Sequence, residues 1–398
     1  MRNFLLFCVS CFVLVQVQAQ KVDSSSIDKV FDELVKVVEA KDYARAAVCC
    51  DQLDALVAAL PDSLRRSNSG SGISYNGACF RARAGRYDAA LSSFERYANQ
   101  VIGVEEIDFI WIQKDPDLDS LRTMPRFVKT LERLRAWGDY RTILRDATPY
   151  KVDATDSLPV FRYADASNPC LVRVRESFKL DSIAGGGDEL SKIRNLLTWV
   201  HNTVPHDGSS YNPSARNSLA MVELCRRENR GVNCRMLAQI LNECYLSMGF
   251  KSRFVTCMPK NYMGECHVIN VVYSTTLGKW LWVDPTFNAY VTDQNGEMLS
   301  IAEVRERMRD GQTVKLNAEA NWNGKPKNQA EYLDHYMAKN LYWFTCSNFS
   351  KFSTETAFAK RVSPLSYVAL IPEGYADYKW QCSYATTDDA WFWQAPTM

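Results

Sequence analysis

The chain has 398 residues, 46% of them hydrophobic and 23% charged, the balance of a folded protein of two or three domains. Its 47 basic and 46 acidic side chains leave a formal net charge of +1, so there is no basic excess to grip a phosphate backbone. Nucleic-acid binding is therefore set aside, and ten Trp with 12% aromatics exclude a disordered chain.

At the start, Arg2 precedes a twelve-residue run, Phe4 to Val15, that is apolar except for Ser10. A membrane-spanning helix needs about 20 apolar residues, so this run reads as the core of a secretory signal. Val17 and Ala19 occupy the −3 and −1 positions of a cleavage site, which makes residues 1–19 the expected signal peptide. The chain is thus expected to be exported, periplasmic or at the cell surface, with no membrane span after cleavage. Of 13 cysteines, Cys8 and Cys11 leave with the signal, and the odd number remaining leaves at least one thiol unpaired. The only C-x-x-C lies in the signal itself, so neither a metal nor a cofactor is expected.

Residues 20–140 form the next expected domain, and their pattern is helical. Ile27, Val30, Phe31, Leu34, Val37 and Val38 recur at helical spacing, as do Cys50, Leu53, Leu56, Val57 and Leu60. Two segments look alike: Tyr43-Ala44-Arg45-Ala46 and Tyr87-Asp88-Ala89-Ala90 each place a small residue three after an aromatic. They resemble the second helix of the tetratricopeptide repeat, although their 44-residue separation exceeds the usual repeat of roughly 34. A generic helical bundle fits the same residues. A repeat array would offer a surface to a protein partner.

A mixed region, 141–345, follows. Leu171 to Phe178 alternates like a half-buried strand. Asp188 is placed to cap a helix carrying Leu190, Ile193, Leu196, Leu197 and Val200. Then come Gly231-Val232-Asn233-Cys234 and an apolar stripe of Leu237, Ile240, Leu241, Cys244, Tyr245 and Met248, ended by Gly249. Asn233 suits the N-cap, which puts Cys234 in the first helical turn, where the helix dipole favours a thiolate. Cys244, midway along the stripe, reads as a core residue.

Two strands complete the pattern, one opening on His267 and one running from Lys279 to Asp284-Pro285. A loop of Ser274–Leu277 pairs Tyr273 with Gly278 and sets His267 directly opposite Asp284; a loop that also takes Gly278 turns them to opposite faces. On the first register Asp284 orients the imidazole, and His267 serves Cys234 as base and then acid. His201, His206 and His335 have no such partner and read as structural or surface residues.

The order Cys, His, Asp, with G-x-x-C opening a helix and a strand ending W-x-D-P-T, resembles the transglutaminase-like cysteine protease superfamily over Asp188 to Asn295. The resemblance implies an α+β fold: a papain/transglutaminase-like core in which the Cys-bearing helix packs on an antiparallel sheet bearing His and Asp. It implies Cys234 as nucleophile, His267 as general base and acid, and Asp284 as the residue orienting it. The backbone N–H of Cys234 is the implied oxyanion donor; the sequence presents no upstream side chain for that role.

Beyond Ser300, Ile301 to Asp310 reads as a short charged helix, Asn317 to Gln329 as polar loop, and Ser366 to Ile371 as a strand. Residues 346–398 are rich in aromatics, which either fill a core against the catalytic domain or line a groove. The expected activity is an exported cysteine hydrolase, a peptidase or amidase acting through an acyl-thioester on peptide, protein or other amide-containing cell-envelope substrates. The alternatives are acyl transfer to an amine and a non-catalytic module binding peptide, glycan or protein.

Overall fold

The computed structural model describes residues 24–60, 70–151, 158–262, 264–356, 365–380 and 382–397. The expected signal peptide lies outside them. Among the described residues no helix is long and apolar enough to cross a membrane. The chain divides into two compact units, one ending at Asp139 and one running from Tyr140 to the C-terminus.

The first unit is helical: α1 (Ser24–Glu39), α2 (Tyr43–Ala58), α3 (Ser71–Arg83), α4 (Tyr87–Val101) and α5 (Pro125–Gly138) are its longer elements. The two look-alike segments each open the second helix of a helical hairpin. Lys41 and Gly85 take the left-handed conformation that turns the chain, with φ of 58° and 74°, and Tyr43 and Tyr87 begin α2 and α4. Ala46 and Ala90 are fully buried, as small residues must be where helices come close. Arg81 of α3 is buried and holds Asp51 and Asp54 of α2 at 2.9 and 2.7 Å, with Ser93 of α4 at 2.6 Å. A buried guanidinium needs such partners, and here they fix three helices together.

The second unit places helices on a six-stranded sheet. Its longer α-helices are α6 (Pro169–Phe178), α7 (Glu189–Thr203), α8 (Ser218–Glu228), α9 (Cys234–Ser247) and α10 (Ile301–Arg309). The strands are β1 (Ser252–Met258), β2 (His267–Ser274), β3 (Lys279–Val283), β4 (Trp343–Ser347), β5 (Tyr367–Leu370) and β6 (Tyr384–Thr386), in the order β6-β5-β4-β1-β2-β3. All neighbours are antiparallel except β5 and β6. This is the α+β architecture of a transglutaminase-like core. The 346–398 segment supplies β5 and β6 and buries Phe392, so its rings fill core in this unit.

Period-2 alternation sorts the sheet's faces. Ile269, Val271, Trp280 and Trp282 belong to one core with Tyr332, Phe344 and Leu370. Val272, Leu281 and Val283 belong to the other, against Val200 of α7 and Ile240, Leu241, Cys244 and Tyr245 of α9. Asn270, on this helix-facing side, donates its amide to the Ala238 carbonyl at 2.9 Å and ties β2 to α9.

One expected element is overturned. The stretch expected as a strand over 171–178 is helix α6, with Asn168 capping Cys170 N–H at 3.0 Å and Pro169 in the first turn. Leu171 and Val174, three apart, form its buried stripe, so a helical period was hidden inside an apparent alternation. The 317–329 stretch is not wholly loop either: Asn321–Trp322 pairs with Lys325–Pro326 in a small hairpin.

Candidate active site

Asn233 caps α9 as the sequence implies, its side chain accepting from Met236 N–H at 3.2 Å, so Cys234 is the first helical residue. Its sulfur packs beside Phe254 and Val268. It accepts hydrogen bonds from the rings of His267 and His206 and from the backbone N–H of Val268. Burial pushes the thiol pKa up, yet these donors and the charge of His267 overcome it and bring the value down to about 6. Nine other cysteines move the opposite way, chiefly through burial: Cys266, nearby, rises to about 11. All eleven described cysteines are free thiols.

His267 opens β2 and is 1% exposed. Its Nε2 meets Asp284 Oδ2 at 2.7 Å, which leaves Nδ1 for the sulfur. Burial alone would discharge the ring; the Asp284 carboxylate and the Cys234 thiolate reverse that and raise its pKa to about 10. The register differs from the expected one. Ser274 pairs with Lys279, so the loop is Thr275–Gly278 and Tyr273 faces Trp280. Shifting both ends of the loop by one residue preserves parity. His267 and Asp284 therefore share a face, diagonally rather than directly opposed, and the side chains close the gap.

The turn is held from outside the sheet. Glu189, the first residue of α7, accepts from Ser274 Oγ at 2.5 Å, Thr275 N and Oγ1 at 2.9 and 2.7 Å, and Thr276 N at 2.9 Å. Burial raises its pKa, but these four donors outweigh it and lower the value to about 2.

Asp284 is fully buried. Its Oδ1 accepts from Thr286 N at 2.8 Å, and its Oδ2 accepts from the Tyr332 hydroxyl at 2.7 Å as well as from His267. Tyr332 and Tyr336 lie on a π-helical segment, Ala330–Met337. The Tyr336 hydroxyl lies 3.2 Å from His267 Nδ1, and Phe287 and Tyr336 box the imidazole edge-on with centroids at 5.7 and 5.1 Å. Cys234, His267 and Asp284, expected together, are thus gathered at one end of the sheet.

Three residues at the site were missed: Tyr332, Tyr336 and His206. His206, expected to be structural or surface, lies against the sulfur. Its segment pairs with the G-x-x-C stretch, Asp207 N–H bonding the Val232 carbonyl at 2.8 Å and Val232 N–H the Pro205 carbonyl at 3.2 Å. A Cβ on Gly231 would stand 2.4 Å from that Pro205 oxygen, so glycine alone permits the approach. Gly231 was the available signal. His201, by contrast, is buried between the Pro285 carbonyl and Asn321.

In the helical unit, Cys79, Asp115 and Asp117 place one ligand-type atom each within 4.8 Å of one another. The Asp115 carboxylate already serves the Tyr75 hydroxyl at 2.7 Å and Asp117 N–H at 3.0 Å.

The family comparison agrees with this architecture. Residues 177–285 match the Transglutaminase-like superfamily, and that segment is a transglutaminase-like domain. Among solved structures the chain is similar to a protein from Cytophaga hutchinsonii described as a putative cysteine protease, at 15% identity and a TM-score of 0.24. That match covers 38% of this chain and 50% of the other, so this chain spans about half of its length. No curated protein matches the chain.

Proposed function

We propose that the protein is an exported cysteine hydrolase of amide or peptide bonds, with Cys234 as nucleophile, His267 as general base and acid, and Asp284 orienting the imidazole. The observation that carries this reading is one continuous chain of contacts. A sulfur at a helix N-terminus touches a buried imidazole whose far nitrogen is held by a buried carboxylate. Export is supported by the composition of residues 1–19.

The chemistry follows from the protonation states. With the thiol near 6 and the imidazole near 10, the neutral-pH pair is thiolate and imidazolium. The thiolate attacks the carbonyl carbon, and the C=O electron pair moves to oxygen. As that pair returns, the C–N bond breaks and His267 Nδ1–H protonates the departing amine. The now neutral imidazole takes a proton from water, whose oxygen attacks the thioester; the C–S bond breaks and the acid is released with the thiolate restored. Asp284 keeps Nε2–H occupied throughout, so Nδ1 does the proton transfer.

The test is acylation by p-nitrophenyl acetate. Acid-quenched wild-type protein should carry one acetyl group on the Cys234 peptide, and Cys234→Ala and His267→Ala should lose it with unchanged circular dichroism. Acetylation of Cys234→Ala at the wild-type rate would overturn the proposal. Product analysis with an added primary amine separates hydrolysis from transfer.

A further inference from the structure

We infer that His206 is a second catalytic histidine, a neutral hydrogen-bond donor to the sulfur and then to the substrate oxyanion, and that Trp322 fixes the tautomer that makes it one. The inference rests on the reading of Cys234 as nucleophile.

Trp322 and Asn323, on the small hairpin after the matched family segment, hold His206 at three points. The Trp322 indole N–H donates to His206 Nδ1 at 3.0 Å. Asn323 brackets the backbone of the same residue, its Oδ1 accepting from His206 N–H at 2.8 Å and its Nδ2 donating to His206 O at 2.9 Å. An indole N–H can only donate, so Nδ1 must present a lone pair and the ring proton must sit on Nε2. Nε2 is then the nitrogen available to Cys234, and it arrives there as N–H.

The two histidines at one sulfur are thereby given different work. His267, with its Nε2–H on a carboxylate, accumulates charge and moves protons. His206, with its Nδ1 lone pair on an indole N–H, presents Nε2–H and can only donate from it. Other ionisable groups nearby are Asp207 on its own segment, already accepting from Ser209 N–H at 3.0 Å, and Lys325, over the Trp322 ring at 5.5 Å. When the thiolate attacks, its charge passes to an oxygen on the carbon newly bonded to sulfur. A donor fixed beside the sulfur follows the charge without reorganising, and the Cys234 backbone N–H supplies the second arm. Gly231 brings this donor into range.

Two probes separate the role from a structural one. Acetylation by p-nitrophenyl acetate passes through an oxyanion; alkylation by iodoacetamide does not. In full-length His206→Ala, acetylation of Cys234 should fall about 10²–10³-fold. The high-pH alkylation plateau should stay within a few-fold of wild type. His206→Gln, which restores an N–H donor, should recover most of the acetylation. Trp322→Phe should give an intermediate loss, and the His206 ¹⁵N signals should change from a pure Nε2–H pattern to a mixture. Undiminished acetylation in His206→Ala, parallel collapse of both probes, or a charged or Nδ1–H His206 in the wild type would each overturn the inference. Failure of wild-type Cys234 to be acetylated at all would instead remove the hydrolase reading.

Discussion

At the residue scale, the site is an exercise in making one thiol differ from its neighbours. Cys234 and Cys244 share a helix and an apolar stripe, yet burial pushes Cys244 well above the ordinary thiol range while three donors draw Cys234 down to about 6. Alkylation of Cys234 tracks thiolate, so its rate should rise through pH 6 and level off well before pH 8. In His267→Ala the imidazolium and one donor are gone, and the midpoint should move up toward the free-thiol value of about 8.5 or beyond. A wild-type midpoint at or above 8.5 would contradict the ion pair. Cys234, His267 and Asp284 were all legible in the sequence because each sits where an element begins or ends, and caps, prolines and strand boundaries leave local marks. His206 left no mark of its own. Its neighbours, Gly231 and Trp322, lie 25 and 116 residues away.

At the element scale, the hairpin of β2 and β3 decides whether His267 and Asp284 can meet, and Glu189 of α7 holds its turn. The Glu189 pKa is lowered on folding from 4.5 to about 2. Its contribution to stability is therefore complete above pH 4.5 and is lost as the pH falls from 4.5 toward 2. Because the carboxylate is only partly buried and solvent screens it, that contribution is about 1–2 kcal/mol rather than the full value of the shift. Urea unfolding at pH 7 and pH 3 should show a larger acid loss for wild type than for Glu189→Gln, by about 1 kcal/mol. Equal losses would show that the clamp carries no charge dependence. The register itself was only half legible. Parity followed from the strand residues, whereas the loop's end points depended on Glu189, which acts 85 residues away in sequence. The error at α6 has the same origin. Eight residues of mixed polarity fit both periods, and the Asn168-Pro169 start that settles the matter lies outside them.

At the scale of the whole molecule, the matched family segment ends one residue past Asp284, but the site does not end there. Tyr332 and Tyr336 reach the dyad from residues 330–337, Trp322 reaches His206 from the small hairpin, and β4, β5 and β6 make half of the sheet. All of these lie within the second unit. A chain of residues 140–398 should therefore fold with cooperative unfolding and keep low-pH alkylation of Cys234, read by peptide mass mapping. A chain stopped at residue 300 should lose both. Loss of low-pH reactivity in the 140–398 chain would show that the helical unit completes the site.

The sequence by itself determined the helical character of the N-terminal region, the Cys-bearing helix with its cap, the strands carrying His267 and Asp284, and the order of the three side chains. These are local matters, set by periodicity, capping and turn chemistry within a dozen residues. Only the tertiary structure decided the hairpin register, the hydroxyls that clamp Asp284 and the imidazole, and the second histidine at the sulfur. Each of these depends on hydrogen bonds between segments far apart in the chain, and one-dimensional spacing carries no record of which donor will face which acceptor.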